Sequence, residues 1–191
     1  MTHLIKTKPR GQGLMEMIFA IGILLLVVSA VLGIATANVV GHSASELQIT
    51  ANNLAREGIE VARSIRDTNW IAGNDWDSGL VGAGNFALAH FDAAANDWQL
   101  EFFTTDPDEL LYVTSAGVYS HNDSGQPTVF RRTLILQSIC IDSLSFGAEE
   151  IKVTCDLAEQ KIGLHIRSVV RWDERGRQRI ITLEDLLYDW K

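Results

Sequence analysis

Three bases, one acid and then a long stretch without a charged side chain open this chain, and that order constrains it most. Lys6, Lys8 and Arg10 lie within the first ten residues, Glu16 follows, and Met17 to Val40 holds almost no polar side chains. As a helix at about 1.5 Å per residue, that stretch spans roughly 36 Å. A hydrocarbon core is about 30 Å thick, so the segment is long enough to cross a bilayer. Bases flanking its N-terminal end predict a cytoplasmic leader and an exported remainder. Two other readings share the hydropathy. A secretory signal would be cut at the small residues Ala35-Thr36-Ala37, but its apolar region would run to about 15 residues at most. A plain signal anchor fits the length and leaves Glu16 unexplained.

Glu16 carries the most information. A carboxylate at the edge of an apolar helix is costly and normally has a partner. No base follows it on the same helix until Arg56. A cut in the chain just upstream would create a new cation, the terminal amine.

Positions 8 to 20 read Lys-Pro-Arg-Gly-Gln-Gly-Leu-Met-Glu-Met-Ile-Phe-Ala, and here the chain resembles the type IV pilin superfamily of pilins and secretion-system pseudopilins. That family's pattern is a basic leader, a Gly at the cut, a Glu fifth in the mature chain and an apolar helix. A cut after Gly11 makes Gln12 first and Glu16 fifth, whereas a cut after Gly13 would make Glu16 third. Gln12 stands where the family usually carries Phe, a departure that bears on methylation more than on cleavage. The resemblance covers about the first 60 residues. It implies cleavage between Gly11 and Gln12 by a membrane prepilin peptidase, N-methylation of Gln12, and a contact between Glu16 and the terminal amine of a neighbouring subunit. Opposite charges attract strongly in a low-dielectric bundle and select register, even where the net gain in stability is small.

The helical pattern continues beyond the apolar stretch. Leu47, Ala51, Leu54, Ala55, Ile59, Ala62 and Ile65 recur at three- and four-residue steps, which marks one face of an amphipathic helix. Arg56, Glu60, Arg63 and Asp67 occupy the other face and pair at i,i+3 and i,i+4, each pair adding about 0.2 to 0.5 kcal/mol. No Pro interrupts the chain between Gly11 and Asp106, so the pattern predicts one helix from about Leu14 to Asp67. Ser29, Gly33, Ala37, Gly41 and Ser45 fall at strict four-residue steps. Such a stripe lets helix backbones approach closely, although small residues are also common in membrane helices by chance. Gly33 and Gly41 weaken the helix by about 1 kcal/mol each relative to Ala. The resemblance adds an expectation of a kink or unwound stretch near Gly33, since family members often melt there on assembly.

After Trp70 the composition changes. Ile71 to Gly84 is rich in Gly, Asn and Asp and reads as loop. Short alternating runs then predict an antiparallel sheet, with strands at Phe86–His90, Trp98–Phe103, Leu110–Thr114 and Ile151–Asp156. One hairpin joins Val118–Ser120 to Val129–Ile141 through Asn122-Asp123-Ser124-Gly125. Another joins Ile162–Trp172 to Arg177–Leu183, with Gly176 suited to a left-handed turn. Thr182 and Asp185 resemble a capping box, which predicts a short terminal helix carrying Leu186, Leu187 and Trp190. The fold class is therefore α+β. A long N-terminal helix, membrane-spanning in its first half and amphipathic in its second, packs on a C-terminal antiparallel sheet. The divisions are residues 1–11 as leader, 12–41 as membrane or filament-core helix, 42–69 as amphipathic helix and 70–191 as head.

The chemistry-bearing residues point away from an enzyme. There is no His-Glu-x-x-His, no Gly-x-Ser-x-Gly and no Walker loop, and His42, His90, His121 and His165 are scattered. No cofactor is expected. Asp75 and Asp77 faintly resemble the start of a calcium loop, but the third acid and terminal Glu are missing, so no metal is expected there. The net charge is −8, and losing the three leader bases leaves 13 against 24 acids, or −11. An acidic body argues against direct nucleic-acid binding, which needs clustered Lys and Arg. Cys140 and Cys155 fall on neighbouring predicted strands. Exported, they either bond, closing a loop worth about 3 kcal/mol, or stay apart and buried if the strands are out of register. The five tryptophans, Trp70, Trp76, Trp98, Trp172 and Trp190, read mostly as core or as the join of helix and head, with a binding platform as the alternative.

The expected function is that of a minor pilin or pseudopilin, a structural subunit of a pilus-like or type II secretion-like filament. The resemblance supplies its partners: other pilin subunits, the prepilin peptidase and methyltransferase, and an inner-membrane assembly platform. It also supplies the location, a single-pass inner-membrane protein with an extracytoplasmic head that joins an extracellular filament. The alternatives are a monomeric signal-anchored extracytoplasmic binding module and a secreted protein cut near Ala37. The mature first residue separates the three: Gln12, Met1 or Asn38.

Overall fold

The computed structural model describes residues 13–92, 95–123, 125–143 and 147–189. The leader, the Gly11–Gln12 junction and Trp190 lie outside the described residues. Helix α1 runs Leu14–Ala72, followed by strands β1 (Phe86–Asp92), β2 (Asp97–Phe103), β3 (Leu110–Val113), β4 (Tyr119–Ser120), β5 (Gln126–Asp142), β6 (Glu150–Lys152), β7 (Glu159–Glu174) and β8 (Arg177–Tyr188). The architecture is α+β: one long N-terminal helix and an eight-stranded antiparallel sheet. The chain divides into two compact units between Glu46 and Leu47.

In the first unit the helix carries exposed apolar side chains on every side, among them Leu14, Phe19, Leu26 and Val39. It is long and apolar enough to cross a membrane. The helix is unbroken through Gly33 and Gly41, so no unwound stretch occurs near Gly33 in this structure. Within it Ser29 Oγ donates to the Leu25 carbonyl at 2.7 Å, and Thr36 Oγ1 donates to those of Leu32 and Gly33. Hydroxyls that would stand unsatisfied in an apolar medium are thereby returned to the helix's own backbone.

In the second unit the rest of α1 packs on the sheet. Ala51, Leu54, Ala55, Ile59, Ala62 and Ile65 are buried there, together with Gly58 and Val61. Gly58 sits where helix and sheet come closest: a Cβ on it would lie 2.5 Å from Ser168 Oγ and 2.7 Å from Leu134 Cδ2. The helix outlasts its expected end at Asp67 by more than a turn. It stops where Gly73 takes φ of 74°. The Gly73 N–H donates to the Trp70 carbonyl and the Asn74 N–H to that of Asn69, the paired bonds of a Schellman stop.

Strand β5 is the centre of the sheet. Along one edge it pairs with β7 from Phe130 to Asp142, and β7 pairs with β8. Along its other edge it pairs in turn with β3 near Gln126–Arg131, with β1 at Leu134 and Ile135, and with β6 at Ser138–Cys140. The β7–β8 hairpin closes through Arg175 and Gly176, at φ of 54° and 75°, as a two-residue turn demands.

Three expectations are corrected. The hairpin from Val118–Ser120 into Val129–Ile141 does not form. Strand β4 pairs instead with β3, through a turn in which the Gly117 N–H donates to the Thr114 carbonyl. The strand expected at Ile151–Asp156 is only the three-residue β6, and Cys155 follows it. The terminal helix is absent: β8 stays extended to Tyr188, with Ile181, Leu183, Asp185 and Leu187 less exposed than the residues between them. Asp185 does not cap a helix but receives Arg63 Nη2 of α1 at 2.6 Å.

Candidate functional site

The first half of α1 holds Glu16 and the small-residue stripe singled out from the sequence. Glu16 lies in the first turn of α1, where its N–H donates to the Gly13 carbonyl at 2.9 Å. Its side chain is exposed. Negative charge is favourable at that end of a helix, because the first backbone N–H groups lack partners there. Ser29, Gly33, Ala37 and Gly41 are all exposed, and a Cβ placed on Gly33 or Gly41 would meet nothing within 4 Å. Among the described residues nothing covers this stripe. Gly11 and Gln12, the expected processing junction, lie outside the described residues.

Charged groups tie the second half of α1 to the sheet. Arg132 of β5 is fully buried, and its Nη1 lies 3.3 Å from both the Leu54 carbonyl and Glu57 Oε1. Burial lowers the Arg132 pKa, and Glu57 opposes that shift. Arg63 bridges Glu60 and Asp185, and its pKa is raised, chiefly by the hydrogen bond to Asp185. Asp67 goes to the neighbouring Arg66 at 2.9 Å rather than one turn back to Arg63. Sequence spacing did not signal the Arg132 tie, since Arg132 adjoins Arg131 and nothing in the adjacent pair marks which of the two turns inward.

No family model, curated protein or solved structure matches this chain. The functional reading therefore rests on geometry and on the motif around Glu16.

The weak cation candidates do not converge. Asp77 is engaged by Lys161 Nζ at 2.5 Å, while Asp75 is exposed. Cys140 and Cys155 are joined in a disulfide, with Cα atoms 5.5 Å apart. Glu159 lies close to both sulfurs, but the bonded sulfurs are not thiolates. A hydrogen bond from Lys152 holds the Glu159 carboxyl below its ordinary pKa. That trio is a structural corner, not a metal centre.

Topology gathers a different set. Strand β1 leaves β5 after Ala87, whose partner is Leu134, while β3 joins β5 from Arg131 onward. The splay opens a cleft of about 860 Å³ between the end of β1 and the β3–β4 hairpin, lined by His90, Asp108, Glu109, Tyr112, His121 and Asp123 among others. The imidazole centroids of His90 and His121 stand 5.8 Å apart. His121 is buried, and neither of its ring nitrogens has a hydrogen-bond partner. Burial, reinforced by the charge of Arg132 and by His90, pushes its pKa down to about 3; the nearby Leu110 carbonyl opposes the shift without reaching hydrogen-bond geometry. The two histidines look scattered along the chain and meet only because the sheet folds one beside the other.

Proposed function

We propose that this protein is a minor pilin or pseudopilin, a subunit that joins a helical filament through its N-terminal helix after a prepilin peptidase removes the leader. The observation that carries the reading is the single helix from Leu14 to Ala72. Its first part is apolar all round and bare, with one acid at its leading edge, and its second part is amphipathic and packed on an antiparallel sheet. A helix apolar on all sides needs lipid or other helices around it. Glu16 needs a cation, and the amine created at Gln12 of a neighbouring copy supplies one. The exposed stripe of Ser29, Gly33, Ala37 and Gly41 allows neighbouring helices to approach closely. Activity, in this reading, is assembly and not catalysis, with the membrane, other pilin subunits and an assembly platform as partners. The head then lies outside the cytoplasmic membrane, where the Cys140–Cys155 disulfide is at home.

The test is made in a cell that carries a filament system. Mass spectrometry of the membrane form is expected to find Gln12 as the first residue; an intact Met1, or a start at Asn38, would reject the reading. In the same cells Glu16→Ala is expected to leave cleavage unchanged and to reduce incorporation into sheared filaments by about tenfold or more, the loss of one strong charge contact in a dry bundle.

A further inference from the structure

We propose that the cleft between the end of β1 and the β3–β4 hairpin binds a small aliphatic polyamine, held through its ammonium groups. The inference concerns the head alone and does not depend on the filament reading.

The balance of charge points to a cation. Three carboxylates, those of Asp108, Glu109 and Asp123, line the cleft against one guanidinium, that of Arg131. Arg131 is engaged with Asp108, its Nε 3.6 Å from the carboxylate and donating to the Asp108 carbonyl. Glu109 and Asp123 are exposed and have no charged partner among the described residues. The bases behind the cleft are occupied as well: Arg171 reaches Asp106 and Asp108, and Arg132 lies against Glu57. Two unopposed carboxylates in one concave surface focus a negative potential there.

A second observation is independent of the acids. His121 lines the same cleft and is only 7% exposed, and neither of its ring nitrogens finds a hydrogen-bond partner among the described residues. Buried polar atoms are normally satisfied, so this ring calls for an explanation. With its pKa pushed down to about 3, the imidazole stays neutral. It therefore adds no repulsion to a cation and keeps one nitrogen as an acceptor. An ammonium group carries donors only, which is what that nitrogen lacks.

The rest of the lining selects an organic cation over a metal ion. Phe91 from β1 and Tyr112 from β3 contribute aromatic rings. Such faces attract a cation within about 6 Å of the ring centre, and they also cover the methylene stems between ammonium groups. Calcium or magnesium gains nothing from them and needs about six oxygens. The volume, about 860 Å³, falls in the range of small-molecule sites, roughly 300–1,000 Å³. More than one unopposed carboxylate matches a ligand with more than one charge.

The test uses the full chain in a non-ionic detergent and calorimetric titration with spermidine and putrescine. Salt is held at about 0.1 M, where the Debye length is about 10 Å and diffuse attraction to the acidic body is screened. One saturable equivalent of spermidine is expected, with putrescine weaker and the uncharged butane-1,4-diol giving no binding. His121 is buried, so its replacement risks the fold; Glu109 and Asp123 are exposed and keep the test decisive. The double change Glu109→Gln/Asp123→Asn should weaken spermidine binding about tenfold, the loss of two partly solvated charge contacts. Asp75→Asn/Asp173→Asn removes the same charge from exposed positions outside the cleft and should leave the affinity unchanged. Absence of saturable binding, equal binding of the diol, or equal weakening by the two double changes would overturn the site.

Discussion

The two halves of α1 carry similar apolar residues and use them in opposite ways. From Leu14 to Glu46 no side chain is buried, and large residues such as Leu26 and Val39 are more than two-thirds exposed. From Leu47 onward the apolar positions fall on one face and are covered by the sheet, with Ala51, Ala55 and Ala62 fully buried. The difference is one of pattern more than of content. An apolar residue at every position leaves no polar face for water, whereas apolar residues at three- and four-residue steps leave half of the helix to be solvated. The second half finds its cover within the chain; the first must find it elsewhere.

Paired substitutions can break that comparison. Ile59→Asp places an unpaired carboxylate against the sheet and is expected to cost at least about 4 kcal/mol, unfolding most of the head. Ile34→Asp, in the bare half, should leave the head's denaturant midpoint unchanged while impairing membrane association. The check is urea unfolding of the full chain in detergent, followed by tryptophan emission, since Trp172 is buried in the sheet. Equal losses from the two changes would show that the halves fold as one unit.

A steric pair sharpens the same point. Gly58→Val forces methyl groups into the space held by Ser168 and Leu134 and is expected to cost about 1–3 kcal/mol. A Cβ at Gly33 meets nothing within 4 Å among the described residues, so Gly33→Val should leave head stability alone. If Gly33→Val instead lowers filament incorporation, the stripe is an assembly contact.

The smallest effect concerns pH. Between Met17 and Ser45 there is no carboxylate, so mild acid should act on the head. Burial raises the pKa of Asp106, but hydrogen bonds from Arg171 and Thr133 outweigh it and the net shift is downward. A lowered carboxyl stabilises the fold above its unfolded-state value near 3.8, and that contribution disappears as pH falls through the folded value. Asp106→Asn should therefore cost about 1 kcal/mol or less at neutral pH, because the pair is partly solvated. The variant should also lose less stability than the unmodified chain between pH 4 and pH 2. A parallel decline of the two would remove Asp106 from the acid response.

What could be read in advance was whatever local spacing decides. The two regimes of α1 follow from the change of period near Ser43, and the β7–β8 turn follows from a Gly at a position that needs positive φ. The terminal helix was misread because Thr182-x-x-Asp185 satisfies a capping pattern and a two-residue alternation equally well. The alternation prevailed, since Leu183 and Leu187 pack inward beside an acid that finds Arg63. Strand β4 was given the wrong neighbour because two residues carry no register of their own; the Thr114–Val118 turn settles its pairing. His90 and His121 were out of reach for another reason: their meeting depends on where β1 separates from β5, and no local pattern encodes that point.

Strand β5 has a consequence for how this head can vary. Three short segments dock on successive stretches of one of its edges, while β7 and β8 build on the other. Lengthening or exchanging one of the three need not shift the register of its neighbours. The displayed surface is in that sense a set of separate inserts on a common rail, and new recognition can be added at one without rebuilding the rest.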